Sequence, residues 1–172
     1  MEKFKKLGLS EQLLKSIQEA GFEAPREIQE KAIPLALAGK DIIGGSATGS
    51  GKTLAFGAGI IEKSTKGGGI QALILTPTRE LAEQVAESIR GFAKHKGLRI
   101  IPIYGGVGMS PQVEGLERAE IVVGTPGRIL DHLRQGTLTL GKVTSLVLDE
   151  ADRMLDMGFI EDVETIISQC PK

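Results

Sequence analysis

Two polar clusters, far apart in the chain, carry the residue types that phosphate chemistry needs. Asp149-Glu150-Ala151-Asp152 directly follows the apolar run Leu146-Val147-Leu148. An apolar strand ending in Asp-Glu sets two carboxylates at its exposed C-terminal tip, the end at which an open parallel sheet binds ligands. Asp149 suits a hydrated Mg²⁺, and Glu150 is left to orient or deprotonate a water. Upstream, Ser46-Ala47-Thr48-Gly49-Ser50-Gly51-Lys52-Thr53 reads as a phosphate loop between a strand and a helix. Its glycines let successive N–H groups curl around a phosphate, and the helix N-terminus adds a favourable dipole. Lys52 would neutralise the β- and γ-phosphates, and Thr53 would give its hydroxyl to Mg²⁺. The usual pattern begins with Gly, whereas position 46 is Ser, so the strict motif is missed by one place. Together the clusters are the minimal equipment for hydrolysing a nucleoside triphosphate.

The elements that must position them alternate strand and helix. Asp41-Ile42-Ile43 leads into the phosphate loop, and a helix is expected from Lys52 to about Lys63. Ala72-Leu73-Ile74-Leu75 is a buried-type strand, followed by a helix from Thr78 or Arg79 to about Lys94. Ile100-Ile101-Pro102-Ile103-Tyr104 is strand-like, with Pro102 favouring an edge or bulged position. Ile121-Val122-Val123 is the next strand and leads to a helix from about Pro126 to Leu133. Ser145 to Leu148 then carries the acids, and a last helix sets Phe159, Ile160, Val163, Ile166 and Ile167 on one face. Continuous apolar strands separated by helices imply a parallel sheet covered on both faces. Two short helices come first. Ser10 caps one, with Leu13, Leu14 and Ile17 as its stripe and Gly21 as its left-handed stop. Pro25 starts the other, in which Pro34 is expected to kink the axis or begin a new turn.

At 172 residues the chain fits one domain that buries a core without staples. A net charge of −1 argues against binding nucleic acid by charge alone, so such a ligand must be gripped by placed groups. The single cysteine, Cys170, excludes an internal disulfide and any cysteine-based metal cluster, and reads as a small apolar residue near a helix end. His95 and His132 have no partner at metal-ligand spacing and read as surface or helix-end residues. Met154 and Met157 read as packing residues, and Lys3, Lys5 and Lys6 as a solvated face. With no signal-peptide stretch and no membrane-length apolar run, an intracellular, reducing compartment is the default.

Four further segments narrow the reading: Gly21-Phe22 with Pro25 and Ile28-Gln29, Pro77-Thr78-Arg79-Glu80-Leu81-Ala82, Gly105-Gly106, and Thr125-Pro126-Gly127-Arg128. With Asp-Glu-Ala-Asp and the phosphate loop they run, in order, from Phe4 to Phe159, and on them the chain closely resembles the first RecA-like domain of DEAD-box ATP-dependent RNA helicases.

The resemblance implies an α/β P-loop NTPase fold, a mostly parallel sheet with helices on both faces. Residues 1–38 would be a helical extension, the C-terminal helicase domain would lie outside this chain, and a central Ser-Ala-Thr strand beside the Asp149 strand would be missing from it. ATP and Mg²⁺ would be bound by Ser46 to Thr53 with Asp149 and Glu150, the metal touching Thr53 and Asp149 largely through water. In the family the Gln corresponding to Gln29 reads adenine, which a side chain with donor and acceptor side by side can do. An aromatic upstream stacks on the base, and counting back from Gly21 lands on Phe4; Phe22 completes that side. Lys52, Asp149 and Glu150 would serve catalysis, and Asp152 would couple the site to a second lobe.

Pro77, Thr78 and Arg79, Gly105 and Gly106, and Thr125, Pro126, Gly127 and Arg128 would contact RNA. Helix N-termini with a hydroxyl and an Arg are natural phosphate sites, and paired glycines admit a backbone closely. Such contacts ignore base identity, and with 3% aromatics for stacking the implied ligand is single-stranded or locally duplex RNA without sequence preference. The implied protein is a cytoplasmic monomer, with the nucleus left open, and with no membrane partner. Two rivals are an ATP- and RNA-binding piece without catalysis and another P-loop enzyme, such as a DNA translocase or a small-molecule kinase.

Overall fold

The computed structural model describes residues 1–45 and 51–172. Ser46, Ala47, Thr48, Gly49 and Ser50, the first positions of the expected phosphate loop, lie outside the described residues. The chain divides into two compact units, residues 1–64 with 88–98 and residues 65–87 with 99–172.

The first unit is helical among the described residues. Helix α1 spans Glu2–Lys5, α2 Glu11–Glu19, α3 Glu27–Leu37 and α4 Lys52–Lys63, joined by the last turns of α5 (Arg79–Ala93). The Ser10 hydroxyl accepts the Leu13 N–H at 3.3 Å and so caps α2 as the sequence predicts. At its other end Gly21 takes φ 88°, and the N–H groups of Gly21 and Phe22 return to the Gln18 and Ile17 carbonyls. This paired return is the Schellman arrangement, and it satisfies carbonyls the helix end would orphan. Helix α3 begins at Glu27 rather than Pro25 and continues unbroken through Pro34. Both Pro34 and Glu30, whose carbonyl loses its helical partner, are exposed, so water can take that bond. Helices α3 and α4 pack closely because Gly59 faces Ala36: a Cβ on Gly59 would come within 2.9 Å of the Ala36 Cβ.

The second unit carries the sheet. Strands β1 (Ala72–Leu75), β2 (Ile100–Ile103), β3 (Ile121–Gly124) and β4 (Ser145–Leu148) lie parallel in the order β2-β3-β1-β4. Pro102 sits on the edge strand β2, where its missing N–H disrupts least. Leu73, Leu75 and Val122 face one core, with Leu116 of α6 (Met109–Leu116), Ile129 and Leu130 of α7 (Pro126–Gln135), Met154 of α8 (Ala151–Asp156), and Val163 and Ile166 of α9 (Ile160–Ser168). Ala72, Ile74, Ile121 and Val123 alternate onto the opposite face and are also buried, which explains the continuous apolar strands.

Three expectations need correction. Asp41 to Gly45 forms no strand, and Ile43 is fully exposed. A short strand is held by ladder partners, and no described segment offers this one a ladder. Met157 is 46% exposed beyond the end of α8, so of the two methionines only Met154 packs into the core. Of the two readings of His132, the helix-end one holds, since it lies in the last turn of α7, but it is fully buried and not at the surface. Among the described residues β4 forms the other sheet edge, with Leu148 exposed, whereas β1 is buried throughout.

Candidate functional site

Parallel register brings the expected motifs of the second unit to one end of its sheet. Leu75 is level with Gly124 and with Leu148, and Ile103 is level with Gly124. The next residues, Thr76, Tyr104, Thr125 and Asp149, therefore start four loops from one layer. Backbone bonds extend that layer past the strands, from Thr76 N–H to Gly124 O at 2.9 Å, Thr125 N–H to Ile103 O at 3.0 Å, and Asp149 N–H to Leu75 O at 2.9 Å. With strands roughly 4.8 Å apart, the loops after β2, β3, β1 and β4 span about 14 Å at the carboxyl end, where open parallel sheets bind ligands.

At the β4 end, Asp149 is buried and Glu150 is half-buried. Glu150 stands in the left-handed region, φ 53° and ψ 51°, as the residue preceding α8, and pairs with Arg153 at 3.6 Å. A glutamate has no intrinsic preference for that region, and strain of this kind clusters at functional sites. Asp152, in the first turn of α8, is exposed.

The loops after β1, β2 and β3 form a cationic cluster. Thr78 caps α5, its hydroxyl accepting the Leu81 N–H at 3.2 Å, and Pro77 beside it is buried. Arg79 is exposed, with its guanidinium 4.8 Å from the centroid of the Tyr104 ring, a cation–π stack that holds the charge in place. The Tyr104 hydroxyl donates to the Glu83 carboxylate, which holds the phenol pKa above its ordinary value, with burial adding to the effect. Gly105 and Gly106 are exposed, and Gly106 has φ +83°. Pro126 opens α7 at its first position, and Gly127 beside it is open to solvent with no atom near a built Cβ.

Arg128 differs from its expected role as an open phosphate contact. Its side chain is 12% exposed; it donates to the Val107 carbonyl at 2.9 Å and to Gln112 Oε1 at 3.2 Å, and lies 3.7 Å from Asp131. Behind it His132 is hydrogen-bonded to Gln112 at 2.8 Å and to Thr137 at 2.8 Å. Burial pushes the His132 pKa below its ordinary value, and the Arg128 charge acts the same way against a smaller opposing effect from Asp131. Sequence reasoning gave no role to Tyr104, Glu83 or Gln112 and missed the burial of His132. Tyr104, adjacent to Gly105-Gly106, and Glu83, adjacent to Pro77–Ala82, lay where a motif could have drawn attention to them.

In the first unit, Lys52 and Thr53 occupy the first turn of α4, the end with favourable dipole for anions. Gly51 precedes them with φ +85°, and a Cβ there would meet Gln29 Nε2 at 2.4 Å. Gln29 is fully buried; its Oε1 accepts the Arg26 N–H at 2.9 Å and its Nε2 donates to the Gly51 carbonyl at 3.1 Å. The amide expected to read a base thus already ties α3 to the entrance of α4. Phe4 is fully buried, and half-buried Phe22 packs against Phe92 with ring centroids 5.9 Å apart. Neither ring is laid open as a stacking platform. Among the described residues no cluster of three or more His, Cys, Asp or Glu is placed to hold a metal, and no helix is long and apolar enough to cross a membrane.

The family described as "DEAD/DEAH box helicase" matches residues 26–172. The ATP-dependent RNA helicase CshA of Listeria monocytogenes is 52% identical over 99% of this chain, which covers 33% of that protein. A probable ATP-dependent RNA helicase of Methanocaldococcus jannaschii is 52% identical over 98% of the chain, which covers 46% of it. Among solved structures, a DEAD box protein from the hyperthermophile Methanococcus jannaschii superposes with a TM-score of 0.95 at 51% identity, over 98% of this chain and 47% of that one. A hypothetical ATP-dependent RNA helicase from Sulfolobus tokodaii superposes with a TM-score of 0.88 at 40% identity, over 94% of this chain and 47% of that one. The chain thus spans a third to a half of the relatives it matches, and its α/β sheet with surrounding helices is the fold of the DEAD-box domains among them.

Proposed function

Since this chain belongs to the DEAD/DEAH box helicase family, we propose that it is the ATP- and RNA-binding lobe of an ATP-dependent RNA helicase. The observation that carries the reading is the single layer at the carboxyl end of the sheet, where Thr76, Tyr104, Thr125 and Asp149 begin the loops that bear every motif of the second unit. Lys52 binds the β- and γ-phosphates, and Gln29, together with Phe4 and Phe22, confers preference for adenine. By the resemblance, Thr53 and Asp149 would each offer a hard oxygen donor to Mg²⁺. One carboxylate and one hydroxyl would suit a metal that keeps most of its waters, rather than one held in an all-protein cage. A Mg²⁺ held by these residues would supply positive charge to offset that of the phosphates. Glu150 orients and polarises the attacking water.

RNA lies with its backbone across the loops after β1, β2 and β3. Arg79 and the N-terminus of α7 meet phosphates, while Gly105, Gly106 and Gly127 allow close approach. Duplex opening needs a second RecA-like lobe, to which Asp152 couples the site, and the protein acts as a monomer. The test is ATP hydrolysis by the chain joined to such a lobe, with single-stranded RNA or DNA added. Stimulation by RNA alone supports the reading; equal stimulation by DNA points to a translocase. No nucleic-acid dependence in an active enzyme defeats the RNA assignment.

A further inference from the structure

We propose that Gln112, on α6, is the positioning residue that holds the Gly105–Gly108 loop and the Arg128 guanidinium ready for a sugar-phosphate backbone. The inference rests on the RNA-binding reading above. Gln112 is 6% exposed, so its amide is removed from water and needs partners on both atoms. Nε2 donates to the Tyr104 carbonyl at 2.9 Å. Oε1 accepts from Arg128 Nη1 at 3.2 Å and from the His132 ring at 2.8 Å.

These partners bracket the glycine pair. Tyr104 immediately precedes Gly105, and its carbonyl is held by Gln112. Val107 immediately follows Gly106, and its carbonyl is held by Arg128, which Gln112 holds in turn. Gly105, Gly106 and Val107 remain exposed between the two clamps. An exposed backbone fixed at both ends loses little freedom when a ligand arrives, the condition for preorganised binding. The same side chain reaches the other cation indirectly, because the ring of Tyr104 underlies Arg79.

Only a primary amide serves all these contacts. Its nitrogen donates to a carbonyl while its oxygen accepts from two N–H groups. A Gln112→Glu change would set an oxygen against the Tyr104 carbonyl. His132 completes the arrangement: Gln112 Oε1 can only accept, so the ring directs Nε2–H at it, while Nδ1 lies 2.8 Å from the Thr137 hydroxyl, which also reaches the His132 carbonyl at 3.1 Å.

The test compares the full 172-residue chain with its Gln112→Met and Gln112→Asn variants. The first removes the amide, and the second keeps it but is too short to span both partners. Affinity for a single-stranded oligouridylate is measured by fluorescence anisotropy, and fold by circular dichroism. Both variants should bind about tenfold more weakly, the loss of one charge-assisted hydrogen bond. In an Arg128→Ala background the same changes should add less than about twofold, because Gln112 acts through the arginine and the loop it clamps. The ¹⁵N signature of the His132 tautomer should be lost in Gln112→Met. Unchanged affinity in folded variants overturns the proposal, as do losses that multiply in the Arg128→Ala background, or variants that all fail to fold. Failure of the RNA reading is distinct: Arg79→Ala and Arg128→Ala would then leave oligouridylate binding intact in the chain with native Gln112.

Discussion

Glu150 allows a direct test of strain held at the acid motif. It is the only non-glycine residue with positive φ among the described residues, at 53°. The left-handed region costs a side chain with a Cβ roughly 1–2 kcal/mol. Replacing Glu150 by Ala keeps that cost, and replacing it by Gly removes it. Both changes delete the carboxylate and its 3.6 Å pair with Arg153, so that contribution cancels between them. Glycine adds unfolded-state entropy worth about 0.5–1 kcal/mol. The balance leaves Glu150→Gly more stable than Glu150→Ala by about 0.5–1 kcal/mol, the reverse of the order at an ordinary helical position. Urea unfolding at neutral pH, analysed with a shared slope, resolves the difference as a shift in midpoint. If Glu150→Ala proves as stable as Glu150→Gly or more so, the left-handed geometry is not a source of strain. In a two-lobe protein, both variants and Glu150→Gln should keep ATP and RNA while losing turnover. Stability and chemistry would then be opposed at this position.

Gln29→Ala should weaken binding of ATP and also of inorganic triphosphate, because the amide holds the Gly51 carbonyl beside the phosphate-binding turn; equal affinity of the unaltered chain for ATP and GTP would refute adenine reading. RNA binding by this chain should be weak, with a log–log salt slope below about five, at roughly 0.7 per phosphate neutralised on a single strand. A steeper slope would mean a basic surface other than the Arg79 and Arg128 loops. Stability should be full above the ordinary histidine pKa of 6.5 and decline as pH falls below it, because burial depresses the His132 pKa and the unfolded chain takes up the proton more readily. Urea midpoints between neutral pH and pH 5 should therefore drop more for the native chain than for His132→Gln, and parallel curves would remove His132 from the account. Without a second lobe, ATP turnover should be negligible, since an arginine supplied from outside a P-loop site is worth roughly 10³–10⁵ in rate; RNA-stimulated turnover by these residues alone would contradict it.

Much of the second unit was legible because parallel strands in register turn sequence position into spatial position. Each motif follows an apolar run, and level runs bring their successors to one edge. Local chemistry was legible for the same reason: Ser10 caps α2, Gly21 closes it, and Pro102 lies on an edge. Helix α6 was not legible, since Gly108, Pro111 and Gly115 punctuate Met109–Leu116 like a loop. Pro111 nevertheless falls in the first turn, where an N–H has no helical partner to lose. A Cβ at Gly115 would come within 2.0 Å of Ile101 Cδ1, so that glycine lets the helix lie against β2.

Missing α6 concealed the environment of two residues that were visible in the sequence. Without that helix, His132 lacks Gln112 and reads as a helix-end histidine; with it, His132 is buried and neutral. Arg128 was expected from its motif to meet phosphate directly. In the structure its guanidinium is engaged first by Val107, Gln112 and Asp131. An arginine bound to its own protein contributes to a ligand site by shaping it, and only secondarily by its charge. Arg79, exposed and stacked on Tyr104, contributes charge directly. Removing Arg79 should therefore lower the salt slope of RNA binding by about 0.7, the share of one phosphate on a single strand. Removing Arg128 should weaken binding with a smaller change in slope, because what it loses is the fixed course of the Gly105–Gly108 loop. Equal slope changes for the two would mean that both arginines meet phosphate alike, and that the engagement of Arg128 within the protein gives way when RNA binds.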